Sequence, residues 1–270
     1  MLKTGGIAAD PDLMISSLRR PSRFIPLAVL LVLAGAFLWF WRGAQSSTLA
    51  SEDTALSDFR ARAAQGSFEP RPGVPTPGVY HFRQSGSEHA GTGPLTVSRD
   101  LPPQAVYIAS STKAGYHEDL RHSQEHVEEV QFGVNTTGTV ALWRRSKVTF
   151  LGIGEDDKAA VTPPALDHPA KMTVGRTWGS TYVQGKTTVT YTGEVLSKGS
   201  VTLDGHAVPT YLIRTDSAFD GPIHGTRRDV VAFAPSLALP VTWSITQDTG
   251  GDADYSIDAE LELESAVPIT

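Results

Sequence analysis

Residues 255–264 read YSIDAELELE, and this stretch decides the fold class. Tyr255, Ile257, Ala259, Leu261 and Leu263 fall on one side, and Ser256, Asp258, Glu260, Glu262 and Glu264 on the other. A period of two held for ten residues describes an extended strand with one face on a core and an acidic face in water.

Working outward from it, the same alternation recurs upstream. Val241, Trp243 and Ile245 alternate with Thr242, Ser244 and Thr246. Val189, Tyr191 and Val195 share one face, as do Val130, Phe132 and Val134, and Val148 with Phe150. Turn residues separate these runs: Asn135 to Gly138, Asp204-Gly205, Asp220-Gly221-Pro222 and Thr249-Gly250-Gly251. Asp204-Gly205, between Val201–Leu203 and Val208–Ile213, carries the clearest hairpin signal. About a dozen strands are expected. Their one-sided alternation predicts an all-β domain over residues 79–270, a large curved antiparallel sheet that is a half-barrel or barrel-like. The Pro-rich stretch from Thr162 to Pro169 reads as a long loop within it.

Upstream the character changes. Residues 42–78 read as a tether, with Pro70, Pro72, Pro75 and Pro77 favouring extended chain. Between Glu52 and Ala64, Leu56, Phe59 and Ala63 could line one side of a short helix too poor in apolar residues to stand alone. Phe24 to Trp41 reads FIPLAVLLVLAGAFLWFW, eighteen residues without charge. At 1.5 Å per residue they span roughly 27 Å, about the thickness of bilayer hydrocarbon. Arg19, Arg20 and Arg23 flank the near end, against Arg42 alone beyond Trp39 and Trp41. This asymmetry predicts a single transmembrane helix over 24–41, a cytoplasmic tail over 1–23, and a plasma-membrane protein whose C-terminal domain is extracytoplasmic. A cleaved signal peptide would have a shorter apolar core and a better small-x-small site than Thr48-Leu49-Ala50.

Charge and composition exclude several chemistries. Residues 1–42 carry +3 and the whole chain −6, leaving −9 for the remainder. An acidic domain does not attract nucleic acid, and no nucleic-acid partner is expected. Cysteine is absent, which excludes disulfides, thiolate metal sites, a thiol nucleophile and a lipid-bearing cysteine. No G-x-S-x-G elbow occurs. Gly179 to Thr187, GSTYVQGKT, is one residue too long for a phosphate loop and reads as a hairpin between Trp178 and Val189. Gly152-Ile-Gly154 is followed by acids and not by a helix that could receive phosphate. Asp216, Asp220, Asp252 and Asp254 lie in turn-like stretches, where aspartate bonds its own backbone. Asn135-Thr136-Thr137 fits a glycosylation acceptor.

His122-Ser-Gln-Glu125-His126 matches H-x-x-E-H, the inverted zinc-protease pattern. On a helix, residues four apart stand about 6 Å from one another and can share a metal. On a strand they share a face but stand about 13 Å apart. The β surroundings favour the strand, so no catalytic residue, metal or cofactor is expected. The aromatics are more telling. A broad sheet without covering helices folds onto itself or leaves a groove that an apolar molecule fills. Trp178, Tyr191, Phe233, Trp243 and Leu261 are the candidate lining residues for such a ligand.

From Gly175 to Pro268 the order of features resembles the half-barrel proteins of bacterial envelopes, the lipoprotein-carrier and related uncharacterised families. The features are Gly175-x-x-Trp178, a strand ending in Gly193, Asp204-Gly205, a Thr210-x-x-x-Arg214 strand, Val230-x-Ala-Phe-Ala-Pro235, Leu239-Pro240-Val241 and a last strand ending near Pro268. The resemblance implies a curved sheet around an apolar hollow and carries no catalytic residue with it. The chain lacks the helices that plug such hollows and has an apolar span where the carriers have a lipidated cysteine. The expectation is a tethered binding module for a lipid or other apolar ligand. An envelope protein that binds other proteins and has no cavity stands beside it, and a metal-dependent hydrolase built on His122, Glu125 and His126 well behind.

Overall fold

The computed structural model describes residues 47–66, 71–92, 95–150 and 153–270. The expected transmembrane helix and cytoplasmic tail lie outside the described residues. Among the described residues no helix is long and apolar enough to cross a membrane.

Among the described residues thirteen strands follow one helix: α1 (Glu52–Ala63), β1 (Gly78–Thr92), β2 (Leu95–Asp100), β3 (Gln104–Ser111), β4 (Gly115–Arg121), β5 (His126–Val134), β6 (Gly138–Phe150), β7 (Ile153–Pro169), β8 (Thr177–Gln184), β9 (Thr187–Leu203), β10 (His206–Asp220), β11 (His224–Ala234), β12 (Leu239–Gly250) and β13 (Asp254–Leu263). From β3 onward each strand pairs antiparallel with the next, and β13 returns to pair with β1. Twelve strands thereby close into an up-and-down barrel. β2 extends the wall: β1 pairs with β3 over Gly78–Arg83 and with β2 over Ser87–Thr92, with Leu101-Pro102-Pro103 between the two partners. Of the half-barrel and barrel alternatives, the sheet takes the closed form, which leaves no long free edge in the ring.

The expected alternation is realised. On β13, Ile257, Ala259, Leu261 and Leu263 are buried inside, and Asp258, Glu260 and Glu262 face water. On β9 the inward set is Val189, Tyr191, Gly193 and Val195. The β9–β10 hairpin turns at Asp204 (φ 51°) and Gly205 (φ 76°), successive left-handed residues whose twist matches that of the strands. GSTYVQGKT forms the β8–β9 hairpin.

One expectation is corrected. Thr162 to Pro169 is the second half of β7 and not a loop. Proline has no N–H, yet these residues keep a ladder with β6 at Ala165, Leu166, His168 and Pro169. Their other edge needs few donors, because only Val161↔Gln184 and Thr162↔Val183 join β7 to β8. The short helix expected between Glu52 and Ala64 is α1, which docks on the barrel and does not stand alone. Ser51 caps it, with Thr54 N–H donating to Ser51 Oγ at 3.3 Å, and Glu52 and Asp53 sit in its first turn. Ala55 and Phe59 pack on Val79, Val106 and Ile108, the outward residues of β1 and β3. Arg62 bonds Asp119 at 2.9 Å, and Arg121 bonds Asp58 at 2.6 Å. β3 and β4 are therefore buried on both faces, with the barrel core on one side and the helix on the other.

Candidate functional site

All five candidate lining residues face the barrel interior, but they do not form one wall. Trp243 sits opposite Leu261 in the β12–β13 ladder, and both join the largest apolar cluster with Tyr80, Phe82 and Tyr107. Tyr191 belongs to a second cluster with Tyr116, Phe132 and Tyr182. Phe233 belongs to a third, with Ile213. Trp178 packs against the second and the third. Its ring lies against Gly193, where a Cβ would overlap it.

Between these clusters runs a buried chain of charge. Arg99 Nε donates to Glu88 Oε1 at 2.6 Å, and Tyr255 hydroxyl donates to Glu88 Oε2 at 3.0 Å. His126 Nδ1 stands 3.0 Å from Glu88 Oε2, and its Nε2 stands 3.5 Å from Glu128 Oε1. Arg227 Nη1 donates to Glu128 Oε1 at 2.8 Å and Arg227 Nε to Asp229 Oδ2 at 3.0 Å. Trp243 Nε1 ends the chain on Asp229 Oδ1 at 3.0 Å. β5 and β11 are six strands apart whichever way the ring is counted. The Glu128–Arg227 contact therefore joins opposite walls, and side chains fill the barrel at that level.

The charges hold one another in place against burial. Burial alone would raise Glu88, but His126 and Arg99 hold it down at about 2. Burial opposes ionised Glu128 too, and Arg227 and His126 keep it well below the ordinary range. Burial would lower His126, but Glu128 and Glu88 hold it up at about 9. On His122 burial and the neighbouring His126 outweigh the pull of Glu128 and Glu88 and push it down to about 3.

The H-x-x-E-H stretch is neither a strand nor a helix. His122 follows the end of β4, His126 opens β5, and the residues between them form the turn. Ser123 Oγ accepts from the N–H groups of Glu125 and His126 at 3.1 and 3.0 Å, which folds the turn tightly. The rings of His122 and His126 come together inside the barrel, centroids 4.6 Å apart. Glu125 points away: its Oε2 accepts from Thr48 N–H at 2.9 Å. The strand expectation fails because a hairpin turn also brings residues four apart together, and Ser123 supplies the local bonds for it.

Gln84 fixes the state of His122. Its Nε2 donates to the carbonyls of Pro102 and His122 at 2.9 and 2.7 Å. Its Oε1 is therefore the acceptor for His122 Nδ1–H at 2.9 Å. The proton resides on Nδ1, and His122 Nε2 is a bare, buried lone pair without a partner among the described residues. His122, His126 and Glu128 each offer one donor atom, all within 4.8 Å of one another.

A second polar place lies beside the β7–β8 seam. Arg144 sits opposite inward-facing Val130, and its Nη2 is 3.8 Å from Asp167 Oδ1. These two side chains keep 33% and 36% of their surface accessible, though both belong to the interior network. Arg144 Nε and Trp178 Nε1 are buried and have no partner among the described residues.

The sequence reading missed Glu88, Glu128, Arg144 and Arg227 as interior residues, because a charged residue in an alternating run reads as the wet face. The usable signal was the frame: stepping back by twos from Phe132 and Val130 reaches Glu128 and then His126. No protein family, characterised protein or solved structure matches the chain.

Proposed function

We propose that this chain is a membrane-anchored, extracytoplasmic binding module whose β-barrel takes up a lipid-like molecule with an acidic head through the seam between β7 and β8. The observation that carries this reading is the inward Arg144–Asp167 pair, a third accessible, beside two strands joined by only two residue pairs. The Arg144 guanidinium suits a carboxylate or phosphate, which it can meet with two parallel N–H groups. Trp178, Tyr191 and Phe233 supply adjoining apolar surface. Trp243 and Leu261 belong to the packed part of the interior. The anchor is residues 24–41, and the barrel works on the far side of the membrane from the N-terminus.

The full chain, extracted in mild detergent, is examined by native mass spectrometry and by uptake of a fluorescent fatty acid. Bound lipid, or uptake weakened about tenfold in Arg144→Leu, is the expected result, a factor that matches the loss of one charge-assisted hydrogen bond of roughly 1.5 kcal/mol. A clean unliganded mass with no uptake contradicts the reading. The contact between opposite walls at Glu128 and Arg227 favours a second reading, an envelope interaction protein with a filled interior. Crosslinking in cells that captures one defined protein partner, with no lipid retained, selects that alternative.

A further inference from the structure

We propose that His122, His126 and Glu128 form a site for a divalent transition-metal ion inside the barrel, with zinc the best match to the donor set. The site is independent of the ligand taken up at the β7–β8 seam.

Three features point to an ion. The donor atoms converge: one ligand atom from each of His122, His126 and Glu128 lies within 4.8 Å of the other two. His122 Nε2 is a lone pair buried beyond water's reach and satisfied by nothing among the described residues. A buried acceptor without a donor is costly, and a Lewis acid relieves it. The third feature is a separation. His126 Nε2 and Glu128 Oε1 stand 3.5 Å apart. That is long for a charge-assisted hydrogen bond, which runs about 2.7–2.9 Å. It matches the roughly 3.4 Å between neighbouring donors around a tetrahedral ion with bonds near 2.1 Å.

The surrounding residues are those a metal site requires. A ligating imidazole donates its other N–H to a carbonyl or carboxylate, which sets the tautomer and aims the lone pair. His122 Nδ1 does so to Gln84 Oε1, itself locked by two backbone carbonyls. His126 Nδ1 does so to Glu88, itself held by Arg99 and Tyr255. Glu128 is oriented by Arg227. Two imidazoles and one carboxylate leave a fourth position for water or a ligand atom. His126 Nε2 must be bare to ligate, so loading releases any proton it carries. The ligand set is distinct from H-x-x-E-H, since Glu125 faces Thr48 and Glu128 takes the third place.

The untagged full-length chain, stripped with a chelator, is titrated with Co²⁺ and then Zn²⁺, with folding monitored by far-ultraviolet circular dichroism. One equivalent of Co²⁺ should produce visible d–d bands, and one equivalent of Zn²⁺ should abolish them. His122→Gln should remove stoichiometric binding. Gln84→Ala should weaken it by roughly 10–100-fold, and Glu125→Gln should leave it unchanged. The proposal is overturned if folded wild-type protein gives no bands and binds less than one equivalent of either ion. It is equally overturned if the bands survive His122→Gln or are lost in Glu125→Gln. Should His122→Gln fail to fold, the wild-type, Gln84→Ala and Glu125→Gln titrations decide.

Discussion

Glu118 shows how far burial can move a single group in this barrel. It faces the interior from β4, and the Tyr107 hydroxyl donates to it at 2.8 Å. Burial, with the Asp167 carboxylate adding to it, raises its pKa from the ordinary 4.5 to about 8 against the opposing pull of Tyr107. The folded protein therefore holds a proton that the unfolded chain releases above about 4.5. The stabilisation is complete below that pH and drains away as pH rises through 8. Urea midpoints measured from pH 5 to about 9 should fall in the wild type, and the fall should be shallower in Glu118→Gln. Parallel slopes in the two proteins would show that Glu118 ionises normally. At this scale little was legible in the sequence. The H-x-x-E-H spacing is plain, but the partner that completes the cluster is Glu128, two residues on along β5, and only the direction of the turn at Ser123 shows it.

Elements were the most legible scale, and where reading failed the cause was a neighbouring element. β13 was readable residue by residue because one face meets water throughout. β3, with its inner positions buried on both sides, shows no alternation, since α1 removes its outer face from solvent. The proline stretch of β7 reads as a loop because proline is scarce in paired strands, and only the nearly unpaired β8 edge makes it tolerable there. α1 in turn looks too poor to form alone and is stabilised by docking. Phe59 is the larger of its two buried side chains, and Phe59→Ala should cost about 3 kcal/mol, roughly 6–12 °C in melting temperature. If α1 docks as described, hydrogen exchange in Phe59→Ala should rise more over residues 52–63 than over β9–β11. A rise over the helix no larger than over those strands would mean that Phe59 does not anchor it.

At the scale of the whole molecule the decisive feature is closure. A run of alternating strands specifies a sheet. Whether its ends meet depends on β1 accepting β13, a ladder running from Phe82↔Leu263 to Gly91↔Asp254 between segments that are far apart in sequence. No local pattern encodes that register, which is why half-barrel and barrel could not be separated beforehand. Once the ring closes, inward residues of opposite walls must either leave space or meet. In this barrel they do both: the walls meet at Glu128 and Arg227 and leave accessible surface at Arg144 and Asp167. That division allows a packed, charged interior and a partly accessible seam to coexist in one barrel. The most direct test is a double-mutant cycle on the cross-wall pair, with Glu128→Gln, Arg227→Met and the double variant unfolded in urea. Each single change should cost about 3–5 kcal/mol, and the double variant should be more stable than the sum of the two costs implies by at least about 1.5 kcal/mol. Additivity within about 0.5 kcal/mol would mean that the walls do not touch, and would contradict the closed, charge-filled barrel.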